Sequence, residues 1–167
     1  MTPPKEKDRA RPEDRDSKLD AATDFGPRSG GSRILFPYVA RGLTTSALDA
    51  ALRLARSEGG TVVPVFLARV PLRMELEAPL PRQSQIAVPL QEAIEQRAAS
   101  FGVPVDSRIE RGRTYRQALA QMIEHERYNR ILMAAAAHGE PGFGADDVAW
   151  LLSNAPGEII VLRPAQR

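Results

Sequence analysis

The run Arg33–Val39, RILFPYV, is the first of five strand-like segments of this chain. Stretches with helical periodicity separate the five segments, and this alternation is typical of an α/β fold in which helices cover a parallel sheet on both faces. The four other strands are predicted at residues 61–67, 104–110, 130–136 and 158–163. The helices are predicted at residues 43–57, 86–101, 114–127 and 146–153, with Thr114 as the N-cap of the third.

Two prolines interrupt predicted strands, and a proline-rich segment follows the second strand. Pro37 and Pro64 lack the N–H group that a central strand donates to its neighbour. We therefore expect both residues where neighbouring strands begin to diverge. Residues 68–84 are predicted to form an ordered loop over the edge of the sheet.

Composition excludes several classes of protein. The chain has no cysteine, so it has no disulfide, no thiolate nucleophile and no cysteine metal site. Its three lysines lie at positions 5, 7 and 18, which excludes a phosphate-binding loop with its required lysine in the folded part. A net charge of +2 gives no indication of nucleic-acid binding, so we expect none, and the short apolar runs imply no membrane insertion. We expect a cytoplasmic protein.

The chain divides into a polar tail and one domain. Residues 1–32 hold seven Lys/Arg and seven Asp/Glu residues and are expected to be disordered. Residues 33–167 are expected to form the domain. Three of its stretches are distinctive: RILFPY at 33–38, RGRTYRQAL at 111–119 and NAPGEIIVLRP at 154–164. In this order they resemble the universal stress protein family across residues 33–164.

The resemblance implies a three-layer, Rossmann-like sandwich of the adenine nucleotide alpha hydrolase-like type, with a five-stranded parallel sheet in the order 3-2-1-4-5. It also implies a homodimer formed through the last strand, which is apolar on both faces. A monomer whose last strand is covered by the N-terminal tail is the alternative. The residues predicted at the dimer interface are Ile159, Ile160, Val161 and Leu162.

In such sheets a ligand binds where the strand order reverses, between the first and fourth strands. Family members that bind ATP carry an aspartate at the position of Val39 and glycines after the fourth strand, where this chain has the run 134–137 of alanines. Asp146 and Asp147 are placed by the resemblance at the start of the last helix, where they would repel phosphate. We therefore expect no cofactor, ATP included, and no catalytic residue.

Weaker candidates for an anion or nucleotide site remain. A Gly-x-x-Gly match at Gly139 and Gly142, followed by Ser153, is spurious because Ser153 belongs to the end of the last helix. His138 follows the fourth strand, but with His125 it lacks the ligand spacing of a metal site. The candidate residues are Val39, Arg113, Thr114, His138, Gly139 and Gly142.

These features predict a dimeric stress-response or signalling module with a degenerate ATP-binding motif. One alternative is an ATP-binding universal stress protein with a rearranged phosphate loop built from residues 138–142. Another is a regulatory module that binds a membrane transporter, because residues 69–81 resemble similar domains that are fused to permeases and antiporters. The first alternative has a nucleotide as its ligand, and the second has a protein as its partner.

Overall fold

The structure, a computed structural model, describes residues 31–136 and 141–163. Five parallel strands lie in the order β3-β2-β1-β4-β5, which confirms the predicted sheet. The strands are β1 Arg33–Tyr38, β2 Thr61–Arg69, β3 Arg108–Gly112, β4 Arg130–Ala134 and β5 Glu158–Leu162. The helices are α1 Thr45–Glu58, α2 Pro81–Phe101, α3 Tyr115–His125 and α4 Ala145–Asn154.

Among the helices, the second differs most from its predicted boundaries. α2 begins at Pro81, five residues before the predicted start, because proline is well suited to a first helical turn that needs no N–H donor. Pro89 lies within the helix and does not end it. The segment predicted as a long loop therefore shortens to residues 70–80, since β2 also continues to Arg69.

The two strand prolines behave differently. Because the Arg33 N–H donates to the side chain of Asn129 at 2.7 Å, and amide direction alternates along a strand, Pro37 also faces β4. The pairing of β1 with β4 covers only Ile34 and Leu35, so the predicted divergence at Pro37 is confirmed.

At Pro64 the prediction is wrong. The bridge of Val62 with Val105 and the pair of Val65 with Arg108 have the same register, so β2 and β3 stay side by side across the proline. One amide donor is missing from that ladder, and the strands do not separate.

Helices cover both faces of the sheet. α1 and α2 pack on one face against Ile34, Phe36 and Phe66, and α3 and α4 pack on the other against Leu35 and Val63. The alternation follows from the two-residue period of a strand. Within residues 31–136 and 141–163, no helix has both the length and the apolar character needed to cross a membrane.

The helical spacing of apolar residues predicts one buried stripe on α1 and a second on α2. The structure confirms the first, and of the second, predicted at Ile86, Leu90, Ala93, Ile94 and Arg97, it buries Ile94 alone. All five predicted residues of α1 are buried: Ala47, Leu48, Ala51, Leu52 and Ala55. In α2 the buried residues are Ala87, Ile94 and Ala98, whereas Ile86 is 40% exposed. The contact face of α2 is centred about 80° round the helix from the predicted stripe, so that Ile94 belongs to both.

An ion-pair network joins β1, β3 and the end of α3. Arg108 Nη2 lies 2.7 Å from Asp106 Oδ2, and the same guanidinium pairs with Glu126. Arg33 Nη2 lies 3.0 Å from Glu126 Oε2, and the Tyr128 hydroxyl donates to that oxygen at 3.3 Å. The hydrogen bonds from Arg108 hold the pKa of both carboxyl groups below their usual range.

We expect this network to lose its stabilising effect in acid. The charged carboxylates stabilise the fold above their unfolded pKa of about 4, and the contribution is lost as the pH falls through the lower folded pKa values. Urea unfolding from pH 7 to pH 3 measures the effect in the wild type and in a variant carrying both Asp106→Asn and Glu126→Gln. The wild type should lose more stability on acidification, and equal losses would contradict this assignment.

Candidate functional site

The candidate site is the crevice at the carboxyl ends of β1 and β4, where the strand order reverses. The two strands separate after Leu35, so their ends form its two walls. In the described part of the chain, these walls carry apolar side chains and backbone groups. The geometry of the segment that follows β4 determines how much room is left between them.

The β1 wall ends in Val39. Its side chain is 2% exposed and belongs to the buried cluster on the α3 and α4 face. The Gly42 N–H donates to the Val39 carbonyl at 3.0 Å, which turns the chain away from the sheet. This position, where the resemblance expects an aspartate, therefore offers an isopropyl group packed in the core.

The β4 wall is occupied by backbone from the loop that follows. The Phe143 N–H donates to the Ala134 carbonyl, and the Ala136 N–H donates to the Phe143 carbonyl, both at 2.8 Å. Because the Ala135 N–H donates to Leu162 of β5, the polar groups of Ala134 and Ala136 point the other way, into the crevice. The strand edge that lines the crevice is therefore already hydrogen-bonded.

Residues 141–144, which we term the crossing segment, bridge the two walls. The Thr44 hydroxyl, just before α1, donates to the Pro141 carbonyl at 3.2 Å. The Phe143 ring is 2% exposed and lies edge-to-face with Tyr115, with ring centroids 6.3 Å apart. The segment thus spans from the β4 edge to the loop after β1 and puts an aromatic ring into the core.

Gly142, a predicted nucleotide candidate, makes the crossing sterically feasible. Its φ is +133°, which L side chains rarely adopt, and a Cβ there would lie 2.7 Å from the Ala134 carbonyl oxygen. The close approach that this glycine permits is to the protein's own β4 edge. His138 and Gly139, the neighbouring candidates, lie outside the described residues.

The first turn of α4 adds negative charge beside the crevice. Asp146 and Asp147 lie in this turn, as predicted, and Gly144 is the N-cap. Asp147 Oδ1 accepts a hydrogen bond from Arg116 Nε at 3.0 Å. Ser153 is in the last turn of the helix, where its hydroxyl donates to the Ala149 carbonyl at 2.9 Å, so its predicted position is also confirmed.

Arg113 and Thr114, the predicted anion candidates, contact protein groups. Arg113 Nη1 donates to the Met74 carbonyl at 2.7 Å, and so binds the loop between β2 and α2. The Thr114 hydroxyl accepts from the Gln117 N–H at 3.1 Å, which confirms it as the N-cap of α3. Arg111 holds the same loop through the Ala78 carbonyl at 2.7 Å, a role that the sequence did not reveal.

A cavity of about 470 Å³ lies on the other side of the β4 end, against α4. Ala135, Ala136, Val148 and Leu152 form its apolar lining, and Arg163 is the charged residue at its border. Methyl groups and one guanidinium offer few partners for a polyphosphate with its metal ion. The described walls of the crevice and of this cavity also present no nucleophile paired with a base.

Solved structures show which class of protein has this architecture. The chain resembles a protein of the universal stress protein family from Burkholderia pseudomallei, at 19% identity and a TM-score of 0.56, over 78% of this chain and 96% of that one. It resembles the universal stress protein UspA from Lactobacillus plantarum at 16% identity and a TM-score of 0.60, over 81% and 99%.

A further similar structure is a universal stress protein family protein from Arabidopsis thaliana with AMP bound, at 11% identity and a TM-score of 0.58, covering 80% of this chain and 92% of that one. No protein-family model and no curated protein matches the chain. The chain therefore has the universal stress protein fold, as its sequence predicted.

Proposed function

We propose that this chain is a cytoplasmic universal stress protein that does not bind adenine nucleotides and acts, without catalysis, as a homodimeric stress-response or signalling module. The observation that carries this proposal is the crossing segment, whose backbone is bonded to the β4 edge inside the crevice. A nucleotide placed there would have to displace these bonds and the buried ring of Phe143. Val39 offers no hydrogen bond to a base in return.

Charge supports the same conclusion. A phosphate is stabilised at a helix N-terminus when backbone N–H groups are free and no like charge competes. Here the carboxylates of Asp146 and Asp147 lie in the first turn of α4, and Asp147 accepts a hydrogen bond from Arg116. The negative charge of these carboxylates opposes the attraction of the helix N-terminus for phosphate.

Calorimetric titration with Mg-ATP tests the proposal, and we expect no saturable heat up to about 1 mM nucleotide. AMP and cyclic AMP are titrated in parallel, because similar structures hold them. A micromolar dissociation constant for any of the three would overturn the proposal. It would favour the alternative, in which the loop after β4 rearranges to hold phosphate on its backbone amides.

The proposed dimer uses the outer edge of β5, which no other strand of the described residues pairs with. This strand is apolar on both faces, and Val161 is 38% exposed. An exposed apolar residue on an edge strand favours pairing with a second strand. Leu152 of α4 is 58% exposed at the same edge of the molecule. Pairing of two β5 strands would satisfy the open backbone groups and cover these side chains.

We expect Val161→Asp to weaken the dimer at least about tenfold, because it places a charge in a desolvated strand pair. Sedimentation velocity over a dilution series measures the dissociation constant. Leu72→Asp is the matched control, since Leu72 is 87% exposed in the loop between β2 and α2. A wild type that sediments as a monomer, or a Val161→Asp variant that dimerises like the wild type, contradicts the proposed interface.

A further inference from the structure

The loop between β2 and α2 contains two consecutive turns, each held by an arginine from the end of β3. In the first turn the Met74 N–H donates to the Pro71 carbonyl at 3.0 Å. Arg113 Nη1 donates to the carbonyl groups of both residues, at 2.7 Å and 2.5 Å. Arg111 holds the second turn, residues 75–78, through a carbonyl group as well. The backbone of the loop is therefore fixed to the sheet at two points.

The apex of the first turn is both apolar and cationic. Leu72 and Arg73 are its two central residues, and both are exposed, Leu72 to 87%. In the described part of the chain, no other large hydrophobic residue is as exposed as Leu72. Because Arg113 joins the two ends of the turn, the backbone that carries this leucine has little conformational freedom to lose on binding.

The positive charge of the described residues is concentrated around this loop. Residues 69–82 and the two arginines that hold them contain five arginines and two glutamates, whereas the rest of residues 31–136 and 141–163 contains ten arginines and eleven acidic residues. Within the described part of the chain, none of the five arginines forms an ion pair. The five are Arg69, Arg73, Arg82, Arg111 and Arg113.

We propose that this loop docks on the surface of an anionic membrane, with Leu72 at the level of the lipid headgroups and the surrounding arginines on lipid phosphates. A guanidinium group binds phosphate through two parallel hydrogen bonds, and each basic residue near an anionic surface strengthens binding. One apolar anchor gives only marginal binding, so the leucine and the arginines have to act together. Such docking needs no membrane-spanning segment and is independent of the proposed dimer.

The shape of this surface favours a lipid over a folded protein as the partner. Leu72 projects from a turn, and the other exposed large hydrophobic residues of the described part lie in helices and in strands, so the apolar contact is one side chain wide. A stable protein interface buries a larger apolar centre, typically within about 800 Å² on each partner. A bilayer surface is fluid and adapts to a single apolar side chain among dispersed cations.

Flotation of the full chain with phospholipid vesicles tests the proposal. We expect binding to phosphatidylcholine vesicles that contain about 30% phosphatidylglycerol at about 50 mM salt, and at least about fivefold weaker binding to pure phosphatidylcholine or at about 500 mM salt. Leu72→Ala and Arg73→Gln should each weaken binding to the anionic vesicles at least about threefold. Both residues are exposed, so both variants should keep the circular dichroism spectrum of the wild type.

Arg127→Gln is the matched control for Arg73→Gln, because it changes the net charge equally. Arg127 is exposed and precedes β4, at the amino edge of the sheet and thus opposite the loop, so this variant should bind like the wild type. No binding to anionic vesicles, or equal losses for the two arginine variants, overturns the proposal. Unchanged binding of Leu72→Ala also overturns it, because a patch that attracts through charge alone would suit an acidic protein surface equally well.

Discussion

Replacing Phe143 with alanine is expected to lower the free energy of unfolding by about 3–5 kcal/mol, the usual cost of removing a buried phenyl ring. The ring is 2% exposed and lies among the side chains of the α3 and α4 face, where it meets Tyr115 edge-to-face. Alanine would leave a cavity between α3 and the sheet. Urea unfolding followed by circular dichroism measures the loss.

Leu72→Ala is the control for Phe143→Ala, because it also removes a large apolar side chain. Leu72 is 87% exposed, and we expect a change within about 0.5 kcal/mol. If Phe143→Ala costs no more than this control, the ring does not belong to the core and does not fill the crevice. Nucleotide titration would then have to be repeated on that variant.

Gly142→Ala is expected to cost about 2–4 kcal/mol, because it combines backbone strain with a steric clash. A Cβ at φ +133° would lie 2.7 Å from the Ala134 carbonyl oxygen and 3.1 Å from the Ala136 nitrogen. These are the groups that bind the Phe143 backbone, so the substitution attacks the crossing segment directly. Hydrogen exchange should show faster exchange of the Phe143 and Ala136 amides.

Gly144→Ala is the matched control in the same segment. Gly144 has a φ of −69°, and a Cβ there would meet no atom within 4 Å. As an N-cap change it should cost less than about 1 kcal/mol. If the two substitutions cost the same, any added side chain destabilises the crossing segment. The close approach of Gly142 to β4 would then not be the cause of the loss.

The contents of the crevice were predicted only in part. The resemblance, together with the order of the strands, places Val39 and the two aspartates of α4 beside the crevice. The role of Phe143 was missed, although a lone aromatic residue among Gly139, Gly142 and Gly144 was a usable signal. A large apolar side chain in a glycine-rich loop needs a buried site, and the open crevice was the nearest one.

The contacts of the arginines near the start of α3 could not be predicted from the sequence either. Arg108, Arg113 and Arg116 lie close together in the sequence, yet they bind different partners in the structure. Each side chain points away from its neighbours because strand alternation and the turn into α3 separate them. The carbonyl groups of the loop between β2 and α2 that Arg113 meets are distant in sequence.

The sequence alone predicts the order of strands and helices along the chain, the parallel direction of the strands and the buried face of α1. These features follow from periodicity and capping, which depend on residues within a few positions of each other. The closing of the crevice depends on the folded chain. Hydrogen bonds from Thr44 to Pro141 and between Phe143 and the β4 edge join segments that meet only after the sheet has assembled. Such long-range contacts leave no periodic pattern in the sequence.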